Sequence, residues 1–269
     1  TGTPALPNSA ALGMTPPTTP GWWNVVTRPV VFAANNPTTY NSHLEKLIAD
    51  FVAAVAGAAS PLGSGEVPVM NLADLNNPNR EMLSNDIDFP ATGADDNNFA
   101  TAALGTFRFN AGVHTFNIRC DDLCAIRFGN GAQVLGRVSI LANGSIDPFD
   151  PSTFIWWQAA GDINCKMVVR FPTTGDYEFQ LFHAEGTGGS AAEVSWLPGV
   201  QTEDFSGSWI PLGDSTSLVP VLPTSLPGIP TDPGMWSIHE VRGAGQITSI
   251  QQAAEFLNDP AVGIHTDSQ

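Results

Sequence analysis

The sequence predicts an all-β fold: an antiparallel β-barrel or β-sandwich with short accessory helices and Pro-rich linkers. Three observations predict it. From about Met82 onward, short runs of alternating apolar and polar residues recur, the period of a strand with one buried face. Turn signals (Asn130-Gly131, Asn143-Gly144, Gly175-Asp176, Gly188-Gly189) separate those runs at short intervals, as in sandwiches and barrels. Finally, 26 glycines and 22 prolines make up about 18% of the 269 residues, against a usual sum of about 12%.

The elements follow in order. Residues 1–20 are low in charge and rich in Pro, Thr and Ala, and read as an extended linker. Residues 21–81 hold a Gly-Trp motif and a helix at about 42–58. Ser42 and Glu45 form an S-x-x-E capping box, and Leu44, Leu47, Ile48 and Phe51 share one apolar face at i, i+3, i+4, i+7. That face needs a surface to dock on.

Residues 82–214 carry the strands, among them Thr106–Phe109, Val113–Arg119, Ala125–Phe128, Cys165–Phe171, Tyr177–Phe182 and Ala192–Trp196. Phe107, Phe116, Ile118, Ile126, Val168, Phe179, Leu181 and Val194 are the expected inward positions. A second Pro/Ser linker spans 215–233. In 234–269, Gly234-Met235-Trp236 echoes Gly21-Trp22-Trp23. Thr248 and Gln251 repeat the capping box, and Ile250, Ala253, Ala254 and Leu257 repeat the apolar face. The chain reads as one repeat unit plus the opening of the next.

Charge excludes several function classes. Ten basic residues face 26 acidic ones, a formal net charge of −16, and only Lys46 and Lys166 are lysines. Nucleic-acid binding needs clustered Lys/Arg to displace counterions, and an anionic membrane repels such a chain. The longest apolar run, Phe51–Ala59, is about half of the ~18 residues a membrane helix needs. The acidic, lysine-poor surface suits saline or calcium-rich surroundings, or serves solubility alone. A start at Thr1 without Met or signal peptide fits an exported, extracellular product, and equally an expression product. Cys120 and Cys124 lack the partners of a zinc site, so the expectation is a disulfide between them, or from one of them to Cys165.

The run Gly105-Thr106-Phe107-Arg108-Phe109, Ala111–Phe116, Cys120-Asp121-Asp122-Leu123-Cys124-Ala125-Ile126-Arg127-Phe128 leads to Gly175-Asp176-Tyr177-Glu178-Phe179 and Glu185–Trp196. This succession resembles the PA-fourteen domain family, a β-barrel shared by protective antigen, yeast flocculins, fungal adhesins and bacterial extracellular proteins. The resemblance covers about residues 82–198, with Trp209–Asp214 matching a following "f-LvGD" element. In the family's lectin members the adjacent aspartates, joined by a cis peptide, bind a calcium ion that bridges vicinal sugar hydroxyls. The resemblance implies that role for Asp121 and Asp122, and calcium prefers hard carboxylate oxygens of that kind. The family's further ligand is an Asn on a later loop; here that loop reads Glu185–Ser190 without Asn, and Leu123 stands where the family has Gly. The alternative is that both aspartates only stabilise a turn.

Other residues compete as sites. Asn85–Asp88 and Asp95–Asn98 are acidic stretches, and Asp147–Asp150 opens the segment with Trp156 and Trp157. Trp156, Trp157 and Glu185 are sugar-contact candidates, although such tryptophans are more often packing anchors. Five scattered histidines show no ligand spacing, and no nucleophile or phosphate motif occurs, so no catalytic residue is assigned. His114 and His183, within apolar strands, read as sheet residues. Two functions follow. One is a non-enzymatic structural unit of a cell-surface or matrix polymer, its copies or repeats joined head-to-tail through Trp236, Ile250, Ala253, Ala254 and Leu257. The other is a calcium-dependent carbohydrate-binding adhesin domain with glycan partners.

Overall fold

The computed structural model describes residues 6–30, 40–75, 83–90, 97–141, 145–146, 154–158, 163–201 and 209–213. The strands are β1 (Trp23–Pro29), β2 (Gly63–Val67), β3 (Asn71–Ala73), β4 (Phe99–Phe109), β5 (Gly112–Asp121), β6 (Leu123–Phe128) and β7 (Gln133–Leu141), then β8 (Ser145–Ile146), β9 (Phe154–Gln158), β10 (Ile163–Phe171), β11 (Gly175–Glu185), β12 (Ala191–Pro198) and β13 (Ile210–Pro211). One helix, α1 (Tyr40–Ala56), lies between β1 and β2.

Seven strands form one sheet, in the order β2-β1-β4-β11-β6-β9-β8. The second runs β13-β12-β5-β10-β7, with β3 added on β12. Among the described residues no strand pairing joins the two, so of the two architectures expected this is the antiparallel sandwich.

The opposed faces make the main core. Trp23, Phe107, Phe109, Phe116, Phe128, Phe171, Phe179 and Trp196 form a continuous cluster with Ile118, Ile126, Leu181 and Val194. Seven of the eight expected inward positions lie in it. Val168 does not: Met167, Val169 and Phe171 supply the inward row of β10, and Val168 pairs with Thr115 on the other phase. Irregular register between β10 and β7, on either side of Met167–Val168, accompanies the shift.

A second cluster covers the outer face of the seven-stranded sheet. Leu44, Leu47, Ile48 and Phe51 of α1 dock on Val26, Ala100, Ala102, Leu104, Ala125 and Phe182, the apolar face the periodicity predicts. Phe51 meets Phe182 edge to face at 5.5 Å. Leu6, Leu12 and Met14 join the same cluster, so residues 6–20, read from sequence as an extended linker, lie packed against the domain. Since β4 is covered on both faces, Phe99–Leu104 shows no alternation, and sequence periodicity misses that half of the strand.

The Gly-Trp motif is part of the core. Trp23 is fully buried, and its indole Nε1 donates to the Leu212 carbonyl at 2.8 Å. Beside it, Gly213 has φ +134°, and a Cβ there would stand 2.1 Å from the Pro68 carbonyl oxygen, so only glycine fits. The helix starts at Tyr40, two residues before the expected start, which places Ser42 inside the first turn and not at the cap. The second copy of these motifs, with Trp236, Ile250, Ala253, Ala254 and Leu257, lies outside the described residues.

Candidate functional site

The chain changes sheets at the Asp-Asp pair. β5 belongs to the six-stranded sheet and β6 to the seven-stranded one, with Asp122 alone between them. The turn at Asp121–Asp122 is therefore a corner between sheets and not a hairpin: β5 pairs with β10 and β12, and β6 with β11 and β9. The loop between β11 and β12 is a second corner, since these two strands also lie in different sheets.

Register stacks the two corners at one end of the sandwich. Asp121 stands opposite Ala191 of β12, and Leu123 opposite Ala184 of β11. Glu185, the last residue of β11, thereby meets the aspartates. One carboxylate oxygen from each of Asp121, Asp122 and Glu185 lies within 4.8 Å of the other two, the one such group of His, Cys and acidic side chains among the described residues. Asp121 and Glu185 are buried and Asp122 is partly exposed, so the group faces solvent through Asp122. The Asp121–Asp122 peptide is cis, as the resemblance implies. Glu185, a sugar-contact candidate in sequence, thus sits with the carboxylates.

Backbone contacts hold the second corner against the first. Gly186 N–H donates to Asp122 Oδ2 at 3.0 Å, Asn98 N–H to the Gly186 carbonyl at 2.9 Å, and Gly188 N–H to Asn97 Oδ1 at 3.0 Å. Asn97 and Asn98, flagged in sequence as part of a competing acidic stretch, act as a brace for this loop; Asp95 and Asp96 lie outside the described residues. In the other stretch, burial foremost and the charge of Asp74 push the Asp88 carboxyl up.

Under the corner lies His183, fully buried, with Nε2 2.6 Å from the Asp121 carbonyl oxygen. Burial lowers its pKa to about 4, against the opposing effect of that bond. Sequence placed His183 only as a sheet residue; no periodicity signals a contact across 62 residues.

Cys120 and Cys124 flank the corner as buried free thiols, so the expected disulfide between them is absent. Burial, then a hydrogen bond with Cys124, push the Cys120 thiol well above its usual range. The side chain of Cys165 lies outside the described residues, as do those of Trp156 and Trp157. The backbone of that pair runs along β6, Trp157 opposite Cys124 and Trp156 opposite Ala125.

No family model and no curated protein matches the chain. Among solved structures it is similar to the PA14 domain of the antifreeze protein MpAFP, at 13% identity, covering 76% of this chain and 93% of that one, with a TM-score of 0.43. It is similar to the epithelial adhesin 9 A domain of Candida glabrata, at 17% identity over 72% of this chain and 90% of that one, TM-score 0.38. A PA14 sugar-binding domain of an RTX adhesin shares 11% identity over 72% of this chain and 100% of its own, TM-score 0.38. The chain is similar to PA14 domains, the PA-fourteen family whose residue pattern its sequence resembles.

Proposed function

We propose that this domain is a non-enzymatic, extracellular, calcium-dependent carbohydrate-binding module of the adhesin type, with Asp121, Asp122 and Glu185 as the residues that hold the ion. The observation that supports it is the convergence of three carboxylates from two separate corners within 4.8 Å. Like charges that close repel in the absence of a cation. The donor set fits calcium, which takes six to eight hard oxygens, so three carboxylates leave positions for further oxygen ligands. Calcium bound there supplies a positive centre to which the vicinal hydroxyls of a sugar are suitable donors. Glu185 takes the part of the Asn that the resemblance leads one to look for.

The Epa9 A domain is described in complex with Galβ1-4GlcNAc, and the RTX adhesin domain as sugar-binding. The reading for this chain stands on its own carboxylates. A glycan array probed with calcium and with chelator tests it, together with thermal melting. Glycan binding that chelator abolishes is expected. Calcium should raise the melting temperature of the wild type and leave that of Asp121→Asn with Asp122→Asn unchanged, because a ligand of the folded state alone stabilises by mass action. Equal melting of the wild type in calcium and chelator, with no glycan bound, overturns the reading.

A second reading, head-to-tail joining of copies, is supported by the first copy of the repeated motif. Trp23 and the apolar face of α1 are fully built into the cores. The matching residues at 234–269 carry the same apolar pattern and need a comparable surface.

A further inference from the structure

We infer that His183 is a positioning residue for the acidic corner: its Nε2–H holds the carbonyl of the Asp121–Asp122 peptide and so sets where the two carboxylates stand. The inference rests on the calcium reading and deepens it. The hydrogen bond is 2.6 Å long, and a carbonyl oxygen only accepts, so Nε2 carries the proton. Nδ1 is buried with no hydrogen-bond partner, so the polar work of the ring falls on Nε2.

The ring has little freedom. It stacks on Phe89 at 5.0 Å with an interplanar angle of 20°, and Phe99 lies against it at 5.7 Å. Its strand is the one that ends in Glu185. Three residues of one four-residue segment, 183–186, therefore grip the corner at three points. The His183 side chain holds the peptide carbonyl, the Glu185 carboxylate completes the ligand group, and Gly186 N–H holds Asp122 Oδ2. Partners behind a ligand that fix its orientation typically change metal affinity by about 10–100-fold when removed.

Two near-isosteric amides separate positioning from packing. In His183→Gln the amide nitrogen falls near the place of Nε2 and can still donate to Asp121. In His183→Asn it falls near Nδ1, which has no partner here. Calcium is titrated calorimetrically into the full chain, and each variant is melted in chelator to establish that it is folded. The expected result is a Gln variant within a few fold of the wild-type Kd and an Asn variant about 10–100-fold weaker. His183→Phe refills the stack on Phe89 without a donor and should weaken binding as Asn does. A folded Asn or Phe variant with the wild-type Kd overturns the inference, as does a folded Gln variant that loses binding. If Asn and Phe fail to fold, the Gln result decides alone. A wild type that takes up no calcium overturns instead the calcium reading on which the inference rests.

Discussion

His114 lies among Phe109, Phe171 and Trp196 with ring centroids 5.3–5.5 Å away, and its Nε2 is 3.2 Å from the Asn110 carbonyl. Burial lowers its pKa to about 4, only partly opposed by that bond. The unfolded chain takes up this proton near the ordinary value of about 6.5, so above pH 6.5 the group costs the folded state nothing. As pH falls toward 4 the unfolded state gains protons that the folded one does not, and stability drops by about 1.4 kcal/mol per pH unit for this one group. Denaturant melts in chelator from pH 7 to 4 should show a shallower decline for His114→Gln than for the wild type. Parallel curves would contradict the assignment.

At the scale of elements, α1 shows how a docked helix is closed by the chain around it. Gly13 packs against Val55, and Glu66 of β2 accepts hydrogen bonds from the Thr18 and Thr19 amides and the Thr18 hydroxyl. Those bonds hold the Glu66 carboxyl well below the usual range and tie the N-terminal segment to the sheet edge. The C-terminus of the helix has a residue out of place. Ala59 N–H reaches the Ala54 carbonyl and Ala58 N–H the Val55 carbonyl, a Schellman closure, but Ala58 has φ 53° where glycine is the usual occupant. Ala58 is exposed, so its methyl group has no packing role to lose. Ala58→Gly should therefore stabilise the domain by about 0.5–1 kcal/mol, the left-handed penalty less the added chain entropy. A lower melting temperature for the variant would show that the cap is not limiting.

For the whole molecule, the cores decide what a truncation can spare. Among the described residues, both clusters are assembled from residues 6–212, with Leu212 bound to Trp23, Met70 and Val194 through its backbone. Deleting 234–269 should leave the melting temperature of the domain within about 2 °C, the shift that well under 1 kcal/mol makes in a chain of this size. If the second copy of the motif joins neighbouring molecules, a concentration-dependent assembly of the full chain should vanish with the deletion. Such a contact is heterologous and grows into open fibres unless its rotation closes. A full chain that stays monomeric at high concentration, or a deletion that assembles unchanged, removes this reading. At pH 7 the formal charge of −16 opposes close approach of copies, so assembly should strengthen with salt.

The sequence by itself determined the local period of the fold. Leu44, Leu47, Ile48 and Phe51 mark the docked face of α1, and the alternation in Val113–Arg119 and Tyr177–Leu181 marks strands, because side-chain direction follows backbone period whatever lies opposite. The aspartate pair was legible too, since its two carboxylates are adjacent in the chain. Alternation failed where both faces of a strand are buried, as in Phe99–Leu104, and the extended reading of residues 6–20 failed because Leu6, Leu12 and Met14 carry no period at all. Only the tertiary structure decided that the apparent hairpins are corners between two sheets, since a turn signal says where a chain bends and not which sheet it enters next. It alone brought Glu185 and His183 to the aspartates, through the register of β11 against β6, and pairing register is set by partners far away in sequence.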